Sequence, residues 1–135
     1  MNTDYCEYEL RDTVYRALIS SENFMTHIRE IFTLETEYGL YPYVTITSSY
    51  KGKWRKEQWR GVSIEFIVNI FVQEGGSQKA YQLLQMAKSA VGVDEMSMEN
   101  YQIVKAKFGE EDVSPMQDGI TMHASFSSKV RIMRG

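Results

Sequence analysis

Side chains able to do covalent chemistry are scarce in this chain of 135 residues: one cysteine, Cys6, and two histidines, His27 and His123. A thiol or imidazole catalyst needs a base within hydrogen-bond reach and a further group that orients the base. None of the three stands in a recognisable nucleophile motif, so packed or solvated side chains account for them and no catalytic residue is assigned. The run Glu110-Glu111-Asp112 could attract a cation, but it lacks the alternating oxygen ligands and central glycine of a calcium loop. A solvated turn explains it, and no metal site is expected. Gly75-Gly76-Ser77 could offer backbone N–H groups to an anion, yet no phosphate-loop pattern surrounds it. It reads as an ordinary strand-to-helix turn, and no cofactor is expected.

The densest chemistry is non-covalent. Between positions 51 and 60, Lys51, Lys53, Arg55, Lys56 and Arg60 oppose only Glu57, a local charge of +4 that leaves -7 on the rest of a chain whose net charge is -3. The only two tryptophans, Trp54 and Trp59, are interleaved with these cations. Three uses compete. The cations can pair with phosphates while the indoles stack on bases. The indoles can anchor in a protein partner whose acidic rim meets the cations. Or the charges simply solubilise a hairpin while Trp59 packs across the sheet.

Periodicity supplies the elements that position this segment. Leu10, Val14, Ala17 and Leu18 form one helical stripe in a helix from Asp4 to about Ser20, with Asp4 as its cap. Phe24, Ile28 and Ile31 suggest a short second helical stretch, and Thr33 to Thr36 fits a short strand or a loop. From Tyr43 the period becomes two. A strand through Val44 and Ile46 is followed by a longer one in which Val62, Ile64, Phe66, Val68, Ile70 and Val72 share a face. Residues 51 to 59 then form the extended, charged tip of a hairpin. Ser77 is the expected cap of a helix bearing Ala80, Leu83, Leu84, Ala87 and Val91, which Gly92 stops. Tyr101 to Phe108 is predicted as a strand with Gln102, Val104, Ala106 and Phe108 on one side. Gly109 to Gly119 reads as a polar turn, and Ile120 to Ile132 as a last alternating strand.

The predicted fold is α+β: an antiparallel-rich sheet of four or more strands with a long β-hairpin, packed on one face by two main helices. The length suits a single domain over residues 1–135. Ile67 and Phe71 fall on the opposite sheet face among polar residues, where a monomer leaves them open and a neighbouring subunit could cover them. The small net charge argues against the whole molecule binding nucleic acid or an anionic membrane. One cysteine, an acidic N-terminal segment and the lack of a long apolar run predict a reduced, cytosolic setting, with no secretion signal and no membrane span.

Several segments in this order resemble the tail-completion, or tail-terminator, proteins of long-tailed bacteriophages, prophages and gene-transfer particles. They are the helix ending Ala17-Leu18-Ile19, the strand opening Tyr41-Pro42-Tyr43-Val44 and the β segment Val62 to Val72. The helix Lys79-Ala80-Tyr81-Gln82-Leu83-Leu84, and Asp118-Gly119 before a strand ending Phe126 to Ile132, complete the set. The resemblance covers most of the chain and rests on the order and lengths of these segments. It implies a non-enzymatic structural virion protein of the phage tail, made in the bacterial host cytoplasm. Such a protein forms a homo-oligomer, a hexameric ring, on the tail tube protein, stops tube polymerisation and offers a surface to a neck or head-completion protein. DNA passes through without specific binding. The tip residues and the Ile67 and Phe71 face are then candidate contact surfaces, although the family carries fewer charges in the tip. A nucleic-acid-binding module using residues 51–60, and a neck (head–tail joining) protein, are the alternatives.

Overall fold

The computed structural model of the chain describes residues 2–134. Five strands form one mixed sheet in the order β1-β2-β3-β5-β4. Helix α1 (Thr3–Ile19) opens on Asn2, whose side-chain oxygen accepts from the Tyr5 N–H at 3.1 Å. Asp4, the expected cap, lies in the first turn, where a negative charge still complements the helix N-terminus. Of the predicted stripe, Leu10, Val14 and Leu18 are buried, joined by Cys6, while Ala17 is half-buried. The short turn α2 (Glu22–Met25), capped by Ser21, sets Phe24 into the core. Strand β1 (Glu30–Phe32) follows and ends before Thr33, so this region holds both a helical turn and a strand. β1 runs parallel to the start of β2, a pairing too short and too non-local to show in the sequence.

Strands β2 (Tyr43–Lys56) and β3 (Trp59–Val72) make the long hairpin. Val44 and Ile46 face Ile70 and Val68, and all four are buried. The tip differs from expectation. The ladder continues through one bulge at Lys51 to the pair Lys56 and Trp59, so the turn is only Glu57-Gln58, with Glu57 at φ 57°. Cross-strand neighbours hold this ribbon together. Apolar alternation marks burial, so it is silent where the ribbon leaves the core.

Helix α3 (Gly76–Val91) starts at Gly75, which has a φ of 93° and makes no side-chain cap bond. Ser77, predicted as the cap, lies inside the first turn. The apolar face of α3 is the predicted one, and it packs with α1 on the side of the sheet that carries Val62, Ile64, Phe66, Val68 and Ile70. The two-helix cover and the antiparallel-rich sheet are therefore as the sequence reading has them.

β4 (Tyr101–Pro115) and β3 both run antiparallel to β5 (Met122–Arg134). α3 thus carries the chain to the far edge, and β5 returns into the gap between β3 and β4. The segment predicted as a polar turn from Gly109 is mostly strand, because β4 extends to Pro115. An edge strand need not bury either face, so its polar stretch lacks the alternation that would betray it. Register shifts occur between Ile103 and Lys105 and between Phe108 and Glu111. The first places Ile103, rather than Val104, against the core and leaves Val104 exposed. The second lets Glu111 reach Lys88 of α3 at 2.7 Å. In the turn that remains, Asp118 accepts from the Ile120 and Thr121 N–H groups and from the Thr121 hydroxyl, and these bonds lower its pKa.

Candidate functional site

The hairpin end is a two-stranded ribbon beyond the helix-covered core. Lys51, Lys53, Arg55, Lys56 and Arg60 are all exposed, and among them Lys51 reaches Glu65 at 3.6 Å. The two tryptophans separate. Trp54 is half-buried and its indole N–H donates to the Ile132 carbonyl oxygen at 3.3 Å. Gly61 makes this approach feasible, because a Cβ there would collide with the Ile132 carbonyl oxygen and sit 2.8 Å from the indole nitrogen. Trp59 is 50% exposed. One of the three competing sequence readings packed Trp59 across the sheet; the structure gives that place to Trp54.

On the sheet face away from the helices, Ile67 and Phe71 are half-buried rather than open. Phe71 is sandwiched in a row of rings. Tyr43 stacks on one side at 4.7 Å between centroids, and His123 on the other at 4.9 Å, nearly parallel at 7°. Tyr41 and Phe32 extend the row beyond Tyr43. Residues 33–42 fold over Tyr43: Gly39 lies against its ring, where no side chain would fit, and Tyr43 is only 3% exposed. Burial, with Tyr41 and Glu37 nearby, raises the Tyr43 pKa. His123 Nε2 lies 2.8 Å from Asn69 Oδ1, the geometry of a ring N–H donating to the amide oxygen. Desolvation holds the His123 pKa below its ordinary value, against the opposing pull of Asp112.

Two grooves flank this row. One, of about 540 Å³, has Tyr41, Tyr43, Phe71 and His123 in its wall and Glu35 and Glu37 on its rim, with no Lys or Arg among its lining residues. The other, of about 610 Å³, passes over Ile67 and mixes Glu65, Glu110 and Asp112 with Lys107 and Lys129. The aromatic row escaped sequence reasoning because it depends on register: His123 meets Phe71 only once β5 pairs with β3.

The scarce nucleophile candidates are not brought together. Cys6 is buried on the helix side of the sheet, where desolvation, reinforced by Glu9 and Glu7, raises its pKa to about 11. His123 is on the other face, and His27 Nδ1 sits 3.1 Å from Lys79 Nζ. Among the described residues no group of three His, Cys, Asp or Glu side chains could hold a metal ion, and no helix is long and apolar enough to cross a membrane.

No family model and no curated protein matches the sequence. The fold does match solved structures. A chain from the virion of the native gene transfer agent particle is 12% identical, with a TM-score of 0.69 over 93% of this chain and 95% of that one. The bacteriophage SPP1 gp17 protein is 15% identical, with a TM-score of 0.65 over 94% of this chain and 91% of its own. Identities this low establish likeness of fold. The fold is one found in phage and gene-transfer particles, in keeping with the resemblance carried by the sequence.

Proposed function

We propose that the chain is a non-enzymatic structural component of a phage-type virion. It forms a closed ring, a hexamer, at the end of the tail tube, stops tube polymerisation and presents a surface to a neck or head-completion protein. One observation carries the reading: the chain shares its fold, almost end to end, with a gene-transfer-agent virion chain and a phage protein. A ring needs two different adhesive patches on each subunit. The hairpin end, with Lys51, Lys53, Trp54, Arg55, Lys56, Trp59 and Arg60, and the sheet face around Ile67 and Phe71, are candidates for two such patches, with Trp59 and Phe71 toward opposite ends of β3. The protein is made in the host cytoplasm and resides in the tail, where DNA passes without specific binding. A neck position would use the same surfaces with another partner.

The test is deletion of the chain from the particle that encodes it, followed by electron microscopy. Overlong or headless tails, restored by the wild-type chain, are expected. Tails of normal length joined to filled heads would refute the reading. The exposed Trp59 among exposed cations favours one competitor, a nucleic-acid-binding module. Fluorescence anisotropy with a DNA oligonucleotide at low and moderate salt separates the two, since phosphate pairing weakens steeply as salt rises. A structural ring component shows no tight salt-sensitive binding.

A further inference from the structure

The two ends of the long hairpin are chemically opposite. At the turn end, the half-exposed indole of Trp59 shares a face of the ribbon with its cross-strand partner Lys56, and exposed Arg55 and Arg60 pair on the opposite face. At the other end lies the aromatic groove beside Tyr43 and Phe71, with Glu35 and Glu37 on its rim and no cation lining it. The loop that carries those carboxylates also exposes Leu34 by 61%, Tyr38 by 90% and Leu40 by 60%. A basic surface with an unfilled aromatic anchor thus faces the same solvent as an acidic surface with an aromatic slot and an apolar rim. The second groove is a weaker match, because Lys107 and Lys129 line it and Lys51 already lies near its Glu65.

The two surfaces cannot meet within one molecule. Tyr43 pairs with Phe71 at one end of the ladder and Lys56 with Trp59 at the other. At ~3.3 Å per residue the separation is on the order of 40 Å along a continuous two-stranded ladder. We infer that the Trp59 end of one copy docks into the Glu35 and Glu37 aromatic groove of a second copy of this chain. The occupant follows from charge complementarity: the most basic segment of an otherwise acidic chain meets the acidic groove that holds no cation of its own. Tip and groove are different patches, so the contact is heterologous and repeats from copy to copy until it closes. The inference rests on the ring reading above and names the two surfaces that meet in it.

A tip variant (Arg55→Ala, Lys56→Ala, Trp59→Ala) and a groove variant (Glu35→Lys, Glu37→Lys) test it by light scattering and sedimentation. All five positions are exposed, and thermal melting confirms that each variant is folded. The wild type is expected to self-associate more weakly as salt rises, and each variant alone to associate roughly a hundredfold more weakly. Mixed, the two variants are expected to form a one-to-one heterodimer and nothing larger. The intact groove of the tip variant accepts the intact tip of the groove variant, and the other two surfaces are spoiled. Any of four results would overturn the pairing: a wild type monomeric at millimolar concentration, a folded variant that assembles as the wild type does, a mixture without heterodimer, or a tip that binds a DNA oligonucleotide in place of a second copy. Virion location is read separately, by labelling the chain in purified particles. A chain found in tails whose variants assemble normally removes the pairing and leaves the virion reading. A chain that pairs tip to groove in solution but is absent from particles does the reverse.

Discussion

The indole of Trp54 and the carbonyl of Ile132 are joined at 3.3 Å across Gly61, tying the ribbon of the long hairpin to the last strand of the sheet. Trp59, on the other arm of the same ribbon, has half its surface in solvent. Two tryptophans five positions apart therefore have separate roles: one anchors the ribbon, and the other is available for contact.

Trp54→Ala should lose a hydrogen bond and part of an indole's burial, about 2 kcal/mol together. Gly61→Ala should cost a similar amount, because the added methyl collides with backbone. For a domain of this size that lowers the melting midpoint by roughly 6 °C. Trp59→Ala should stay within about 0.5 kcal/mol of the wild type, as surface changes generally do. Melting followed by circular dichroism checks the ranking, and a larger loss at Trp59 would reverse the assignment.

Glu9 is nearly buried, and its carboxylate accepts from both the backbone N–H of Asn100 at 3.1 Å and the side-chain amide at 2.6 Å. These bonds fasten α1 to Asn100, the residue before β4, ninety-one residues away. Glu9→Ala strands both donors and should cost about 2 to 3 kcal/mol. Urea unfolding should show the midpoint shift, and backbone hydrogen exchange should speed up at Asn100. Unchanged exchange there would refute the link.

Cys6 is fully buried, with a thiol pKa raised to about 11. At pH 8 almost no native thiolate exists, and solvent does not reach the sulfur. A disulfide reagent such as 5,5′-dithiobis(2-nitrobenzoate) should react only as fast as the chain opens, and fully once urea unfolds it. Prompt native labelling would show that α1 lies less tightly on the sheet than this packing requires.

His123 carries a pH dependence whose sign follows from its environment. Burial disfavours the charged ring, so the native pKa lies below the ordinary 6.5. The unfolded chain takes up its proton first as pH falls. The stability from this site is therefore complete above about pH 6.5 and is lost as pH drops through the lower native value. Between about pH 7.5 and 5.5, the wild-type melting midpoint should fall more steeply than that of His123→Phe, which retains a ring on Phe71 but cannot titrate. Parallel slopes would place the titration elsewhere.

Elements that bury a face were legible in the residues alone. The stripes of α1 and α3 and the alternation of Val62 through Val72 are imprints of one core, since apolar periodicity records which side leaves water. Elements without such a face were not legible. β4 beyond Phe108 and the ribbon from Lys51 to Arg60 are strands held by cross-strand hydrogen bonds, and their side chains stay mostly wet. The sequence determined by itself where the basic, tryptophan-bearing segment lies and how much charge it carries. Only the tertiary structure decided that Trp54 is anchored while Trp59 is free. It alone set His123 on Phe71 and Phe71 on Tyr43, and aligned an acidic loop beside them. Those contacts depend on strand register between residues far apart in the chain, and a one-residue slip would turn every side chain to the other face.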